Sequence, residues 1–250
     1  MKLGVVIPVY NEQRWIRSAI QRVLDTPAPK GCVRSIVLVD DGSKDGTRAI
    51  IEDLAKTHGI VAVFHDVNQG KGAALRTGFK AALDGGAEVV LVHDADLEYD
   101  PADHEEVLKP ILDKRADAVI GSRFIGQTHR VLYYWHALAN TFITTCCNMV
   151  TNLNLTDIEC CSKAFTRDVL AQVQVQENRF GVEVELVAKL SGLRVPHEDP
   201  GNTPGVTRPL RIYEVAVSYA GRTYAEGKKI TWKDGVQALV CIMKYGIGRG

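Results

Sequence analysis

A chain of 250 residues with 46% hydrophobic and 24% charged residues has ordinary globular composition, with room for one large domain or two small ones and a sizeable core. Its 30 Lys and Arg balance 30 Asp and Glu, so the basic excess of a nucleic-acid binder is missing and no nucleic-acid partner is expected. No apolar run reaches the ~20 residues of a spanning helix, and the 6 cysteines include the adjacent pairs Cys146–Cys147 and Cys160–Cys161, a spacing unlike Cys-x-x-Cys zinc sites and read as buried free thiols.

The opening "MKLGVVIPVYNE" has one Lys before a short apolar run, too short for a signal peptide, and reads as a first strand over residues 3–7. In chain order there follow a helix over 12–24, a strand over 35–39, a helix over 45–58, a strand over 61–65, a helix over 72–83, a strand over 88–92, a helix over 101–114 and a strand over 118–120. Strands that are apolar throughout and alternate with helices predict an α/β fold, a mostly parallel central sheet flanked by helices on both faces.

After Phe124 the rhythm changes. Residues 130–155 form a long, mildly apolar helical stretch rich in Thr, Asn and Cys. "ECCSKAFTRDVL" reads as a strand leading into a short helix, "GVEVELVAKLSG" as a helix, and "HEDPGNTPGVTRP" as a Pro- and Gly-dense loop. "LRIYEVAVSY" alternates as a strand, and "TWKDGVQALVCIMKYG" is a closing amphipathic helix with Trp232, Val236, Leu239, Val240 and Met243 toward one side. No linker separates the halves, so a single domain over 1–250 is expected.

Ligands of open α/β sheets bind at the carboxyl ends of the parallel strands. The first strand ends in Pro8, Tyr10 and Glu12, the second in Asp40 and Asp41, the third in "DVNQGKG" with Lys71, the fourth in Asp94, Ala95, Asp96 and Glu98, and the fifth in Arg123. Polar ends converging on one edge predict a cleft. A dinucleotide site would put Gly-x-Gly-x-x-Gly after the first strand, and "GKGAAL" lacks the P-loop spacing, so both are disfavoured. Carboxylates alone repel phosphate, but with Mg2+ or Mn2+ between them they bind it, since magnesium commonly takes one or two carboxylates plus substrate phosphates. Asp94 and Asp96, just past a strand end, can turn toward one ion. Tyr10 can stack on a base, Asp41 can accept from a base N–H or a ribose hydroxyl, Gly70 and Gly72 let backbone amides approach a ligand, and Lys71 and Arg123 can neutralise phosphate. The set fits a nucleoside diphosphate.

Blander roles compete with these. The Asp-x-Asp can be a solvated turn, Asp40 can brace its loop, and His93 can be a satisfied strand histidine pointing away from Asp94. "HRVLYYWH", residues 129–136, and the closing helix can pack on the core or rest on a membrane surface.

"VIPVYNE", "VDDGSKDGT", "NQGKGAALRTGFKAA", "DADLEYDP" and "IGSRF", in this order and spacing, resemble the family 2 glycosyltransferases of GT-A fold. More narrowly they resemble the dolichyl-phosphate mannose synthase branch with its bacterial polyprenyl-phosphate members, a likeness that "TDIECCSKAF" and "VSYAGRTYAEGKKI" extend. The resemblance implies a nucleotide-sugar-binding half over 1–124 and an acceptor-side half over 125–250. It implies that Pro8, Tyr10, Glu12 and Asp41 hold the nucleoside, and that Asp94, Ala95 and Asp96 handle ribose, diphosphate and metal. Glu98 stands where the mannose synthases usually have Gln and can join the metal shell. Arg123 becomes a phosphate contact, and Arg222, Glu226, Lys228 and Lys229 a late cationic element. The implied reaction is inverting, metal-dependent transfer of a hexose from a nucleotide-diphosphate sugar of GDP-mannose or UDP-glucose type to a polyprenyl or dolichyl phosphate. Its catalytic set is Asp96, Arg123, Asp157, Arg222 and Lys228, in a cytoplasmic enzyme peripheral to the inner membrane face. A phosphate acceptor is already ionised and needs cations, not a strong base. A soluble hydroxyl acceptor would instead need a carboxylate base, for which Asp157 is the candidate, and a non-catalytic nucleotide-sugar-binding module is the third reading. Three features depart from the mannose synthases: Glu183 where they carry Lys, "CCSK" in place of a Gly-aromatic pair, and the insertion near 195–210, either a lid or a surface loop.

Overall fold

The computed structural model describes residues 1–126, 130, 133–196, 205–221 and 232–246, with the backbone alone at 232–234. Its first strand, β1 (Lys2–Val9), is buried along most of its length. Leu3, Val5, Val6 and Ile7 are all fully buried, and each such side chain stabilises the fold by ~1.5–3 kcal/mol. Helix α1 (Ile16–Asp25) follows, then β2 (Val33–Asp40), α2 (Thr47–His58), β3 (Val61–Phe64), α3 (Lys71–Asp84) and β4 (Val89–Val92). A short 3-10 turn over Pro101–Asp103 leads into α4 (His104–Leu112), then β5 (Ala118–Ser122) and α5 (Tyr134–Thr151). The second half adds β6 (Lys163–Thr166), α6 (Arg167–Gln172), α7 (Val182–Leu190), β7 (Arg194–Pro196), β8 (Thr207–Pro209), β9 (Ile212–Ala216) and α8 (Trp232–Gly246).

The main sheet runs β3-β2-β1-β4-β6-β5-β9. β1, β2, β3 and β4 are mutually parallel, as are β5 and β9. β6 alone runs against its neighbours, wedged between β4 and β5. One sheet therefore takes strands from both halves of the chain, and the expected mostly parallel α/β architecture is present. α3 lies on β1 and β2, α4 on β5, and α8 packs on α5 and α7. The fit of α3 is close: a Cβ at Gly78 would come within 2.3 Å of Val6 Cγ1. β7 and β8 pair as a small separate ribbon flanking the inserted segment, whose residues 197–204 lie outside the described residues.

The helix expected from residue 12 starts instead at Ile16. Asn11 has φ 50°, a left-handed value that Asn tolerates, and its backbone N–H donates to Ser43 Oγ at 2.9 Å while Lys44 N–H donates to its side-chain oxygen at 2.8 Å. The turn after β1 is thereby locked to the turn after β2, which costs α1 its first turn and fixes two edges of the cleft.

Candidate active site

The carboxyl ends of the parallel strands open into a cleft of about 450 Å³, within the range of small-molecule sites. Pro8, Tyr10, Glu12, Asp41, Lys71, Asp94, Ala95, Asp96, Glu98 and Arg123 all line it. Asp157 does not, and Arg222, Glu226, Lys228 and Lys229 lie outside the described residues.

At the end built by β1, β2 and the β3–α3 turn, Asp41 is buried and heavily engaged. Its Oδ1 is 2.7 Å from His65 Nδ1 and accepts from Gln69 N–H at 3.0 Å, and its Oδ2 accepts from Gly70 N–H at 2.7 Å. Asp41 thus shapes the loop that opens α3 as well as facing the cleft. Gly70 (φ 103°) and Gly72 sit against the backbone of residues 177 and 178, and a Cβ at Gly72 would come within 2.0 Å of the Glu177 carbonyl oxygen. The Asp40 carboxylate accepts from Ser43 N–H at 3.2 Å and lies 3.5 Å from Arg48 Nε, the loop-bracing role expected for it.

At the acidic turn, Asp94 Oδ1 lies 3.0 Å from Lys71 Nζ, and Glu183 Oε1 is also 3.0 Å from that nitrogen. Burial works against the Lys71 charge, but Asp94 and Glu183 outweigh it and hold Lys71 well above the ordinary lysine value. Burial likewise opposes ionisation of Asp94, and Lys71 with the Cys161 thiol more than compensates, so its carboxyl sits below the usual range. Asp96 accepts Glu98 N–H at 3.1 Å, a bond that requires Leu97 at φ 65°, a left-handed strain of ~1–2 kcal/mol for a residue with a Cβ. Glu98 accepts the Tyr219 hydroxyl at 2.7 Å. His93 points the other way: it is buried, 3.2 Å from His104 Nε2, and burial pushes it down to about 4.

Among the described residues no three His, Cys, Asp or Glu side chains converge as a metal cage. Asp94 is committed to Lys71, so the expected trio of Asp94, Asp96 and Glu98 does not form as a cluster. Asp96 and Glu98, on one wall of the cleft, still match a magnesium- or manganese-type ion held by one or two carboxylates and completed by substrate phosphates.

Arg123 is clamped. Its Nε donates to Asp157 Oδ2 at 2.7 Å, its Nη2 to Asp157 Oδ1 at 2.8 Å and to Asn140 Oδ1 of α5 at 3.2 Å. Its guanidinium also lies 5.1 Å from the Tyr219 ring centroid. Asp157 is fully buried, and its own backbone N–H donates to Glu214 at 3.2 Å. With both oxygens on Arg123 and no face on the cleft, it positions the arginine and is not placed to take a substrate proton.

Glu159, Cys161, Arg179, Phe180, Glu183 and Tyr219 also line the cleft. Of these, the sequence pattern marks Glu183 and Cys161, each in a departure from the mannose synthases. Burial first, then repulsion from Glu183, pushes the Glu159 carboxyl up to about 7. Glu183 Oε2 accepts from the fully buried Lys163 at 2.5 Å, and burial of that lysine is outweighed by Glu183, which keeps it charged. All six cysteines are free, and burial pushes Cys160 up to about 12, consistent with inert thiols.

Residues 4–174 match Glycosyl transferase family 2, well over half of the chain, and the chain belongs to that family. It is 26% identical over 258 residues to the undecaprenyl-phosphate mannosyltransferase of Micrococcus luteus, covering 99% of this chain and 95% of that one. It is 31% identical over 132 residues to the UDP-N-acetylglucosamine–dolichyl-phosphate N-acetylglucosaminyltransferase of Methanococcus voltae, covering 48% of this chain and 51% of that one. Glucosyl-3-phosphoglycerate synthase of Mycobacterium tuberculosis, solved with Mn2+, UDP and glucosyl-3-phosphoglycerate, superposes with TM-score 0.69 at 19% identity over 98% of this chain and 80% of that one, a likeness of fold.

Proposed function

We propose that this family 2 glycosyltransferase moves a hexose from a nucleoside-diphosphate sugar to a polyprenyl phosphate, with inversion and with a divalent cation. The carrying observation is the place of Arg123. It is a guanidinium fixed by Asp157 and by Asn140, and Asn140 belongs to α5, whose outward face is apolar. A phosphate held at Arg123 would sit on the inner side of α5, with the apolar face on the opposite side of the same helix. The acceptors in the names of the Micrococcus and Methanococcus relatives agree with this.

The outward face of α5 presents Tyr134, Trp135, Leu138, Phe142 and Met149, with Trp135 73% and Met149 80% exposed, and the helix contains no Asp, Glu, Lys or Arg. Val236, Val240 and Met243 are exposed on the neighbouring α8. Aromatic and long apolar side chains exposed together on neighbouring helices suit an interaction or membrane surface, and among the described residues no helix is long and apolar enough to cross a membrane. This supports a peripheral position on a membrane surface.

In the reaction, Tyr10, Glu12 and Asp41 hold the nucleoside. A cation at Asp96 and Glu98 would supply charge neutralisation for the departing diphosphate. The bond from the anomeric carbon to the diphosphate oxygen breaks as one from that carbon to an acceptor phosphate oxygen forms on the opposite face, through an oxocarbenium-like state. No proton moves, so no base is required. Arg123 orients the attacking phosphate, with Arg222 and Lys228 as further cations in this reading. The commitment of Asp157 to Arg123 counts against a hydroxyl acceptor activated by Asp157.

The test is transfer from UDP-glucose and from GDP-mannose to undecaprenyl phosphate in detergent, with Mn2+ or Mg2+. Asp96→Ala should abolish it, and full activity in the presence of EDTA would sink the metal-dependent reading.

A further inference from the structure

Two carboxylates of the cleft, Glu183 and Glu159, have no part in the chemistry above. Glu183 lies in the first turn of α7 and is 3% exposed. Its Oε2 is tied to Lys163, whereas its Oε1, although 3.0 Å from Lys71 Nζ, makes no hydrogen bond there and is buried without one. Oε1 is thus held by the Lys71 charge alone, and its lone pairs remain open to a hydrogen-bond donor. Glu159 also lines the cleft, is partly open to it, and has no hydrogen bond or ion pair among the described residues. The two acids are close enough to repel. Phe180, one turn before Glu183, adds an apolar ring surface to the same lining.

Above the Glu159 value of about 7 both groups are ionised, and a ligand that completes this wall must then donate hydrogen bonds to two acceptor-only groups and offer an apolar face. Inorganic phosphate and diphosphate fail the first condition, because they bring acceptors to acceptors. The base is already assigned to the Tyr10, Glu12 and Asp41 end of the cleft in this reading. A pyranose meets both conditions, with hydroxyls around its rim and C–H groups on its faces. A hexuronate ring would add a carboxylate facing two carboxylates.

We propose that Glu183 and Glu159 recognise the transferred sugar by accepting hydrogen bonds from its ring hydroxyls, and so select neutral hexosyl donors over hexuronosyl donors. This rests on the nucleotide-sugar reading above and names the specificity of its donor site. Glu183 is held rigid by Lys163 and Lys71, and Glu159 is the adaptable member of the pair.

Calorimetric titration of the full chain in Mn2+ at about pH 8, where both carboxylates are ionised, with UDP, UDP-glucose, UDP-glucuronate, GDP, GDP-mannose and GDP-mannuronate tests it. For the base that binds, the neutral sugar nucleotide should bind roughly tenfold more tightly than the uronosyl one. Glu159→Met should weaken the neutral sugar nucleotide by roughly tenfold while leaving the nucleoside diphosphate within about twofold. Glu159→Gln keeps an acceptor oxygen without the charge, so it should retain the neutral donor and bind UDP-glucuronate more tightly than the wild type does. Glu183→Gln should behave like Glu159→Met, but it leaves Lys163 buried beside a neutral amide and puts folding at risk. The Glu159 variants therefore carry the test on their own. Equal weakening of nucleoside diphosphate and sugar nucleotide by Glu159→Met, or no weakening of either, overturns the proposal. If neither UDP, GDP nor their sugars bind the wild type, the donor reading falls and this proposal with it.

Discussion

Replacing Glu159 by Gln should flatten a pH dependence of stability that the wild type carries between about pH 4.5 and 7. The folded chain holds the Glu159 carboxyl at about 7 against an ordinary value of 4.5, first through burial and then through repulsion from Glu183, with Lys163 and Arg123 only partly compensating. A carboxyl raised on folding keeps its proton in the folded chain after the unfolded chain has released it. Stability is therefore full below the unfolded value, falls as pH rises through the window, and levels off above the folded value. At 1.36 kcal/mol per unit the gap corresponds to at most about 3 kcal/mol, less in practice because the side chain is partly open to cleft water that screens it. Gln cannot ionise, so the variant should gain on the wild type by about 2 kcal/mol between roughly pH 5 and pH 8. Urea unfolding followed by tryptophan fluorescence at the two pH values measures the difference. Taking variant minus wild type cancels the other carboxyls that titrate, among them Asp103 and Glu214, both raised by burial, and Asp94 and Asp117, both lowered by their cationic partners despite it. Parallel pH profiles for the two proteins would refute the placement of Glu159 beside Glu183.

Asp157→Asn removes one charge of a buried pair and should cost ~3–5 kcal/mol of stability, by the precedent of broken buried pairs. Its unfolding midpoint in urea should fall, and transfer to undecaprenyl phosphate should fall with it, because Arg123 loses its clamp. Trp135→Ser combined with Phe142→Ser should abolish co-sedimentation with anionic phospholipid vesicles while leaving the affinity for the nucleoside diphosphate unchanged. Vesicle binding equal to wild type would move the membrane contact elsewhere.

How much of the site was legible depends on strand direction. Each parallel strand carries its polar end just after its apolar run, so Tyr10, Asp41, Lys71, Asp94, Asp96 and Arg123 could be assigned to one edge by reading forward from each strand. β6 is antiparallel to β4 and β5, so it delivers the residues before it to that edge. Glu159 and Cys161 therefore join the cleft from the side that a forward reading ignores. Glu183 reaches it from the first turn of α7, a placement made by packing against α8 and invisible in local pattern. Asp157 shows the converse. Its spacing after α5 is compatible with a cleft-facing base, and only the three-dimensional partner, Arg123, turns it inward.

The pairing of charges in the cleft then bears on how it can accept more anions. Lys71 is shared by Asp94 and Glu183, Lys163 is tied to Glu183, and Arg123 to Asp157. A donor diphosphate and an acceptor phosphate both bring negative charge into a wall whose described cations are nearly all matched by carboxylates. The exception is Arg179, which lines the cleft, is exposed, and has no carboxylate partner among the described residues. Its side chain lies against the α3 turn, with Cγ 3.0 Å from the position of a Cβ at Gly70, so it stands where amides of that turn can meet a diphosphate. Arg179→Met should weaken nucleoside diphosphate binding by roughly fivefold, the size of one charged contact in a partly exposed site. It should also make that binding less sensitive to salt, because an exposed charge is screened and a buried pair is not. Lys71→Met makes the contrast. It strips Asp94 and Glu183 of their shared cation, so it should cost folding stability as well as affinity. Arg179→Met with unchanged affinity and unchanged salt dependence would show that the cleft draws its spare positive charge from another source, such as the metal or the cations between residues 222 and 229.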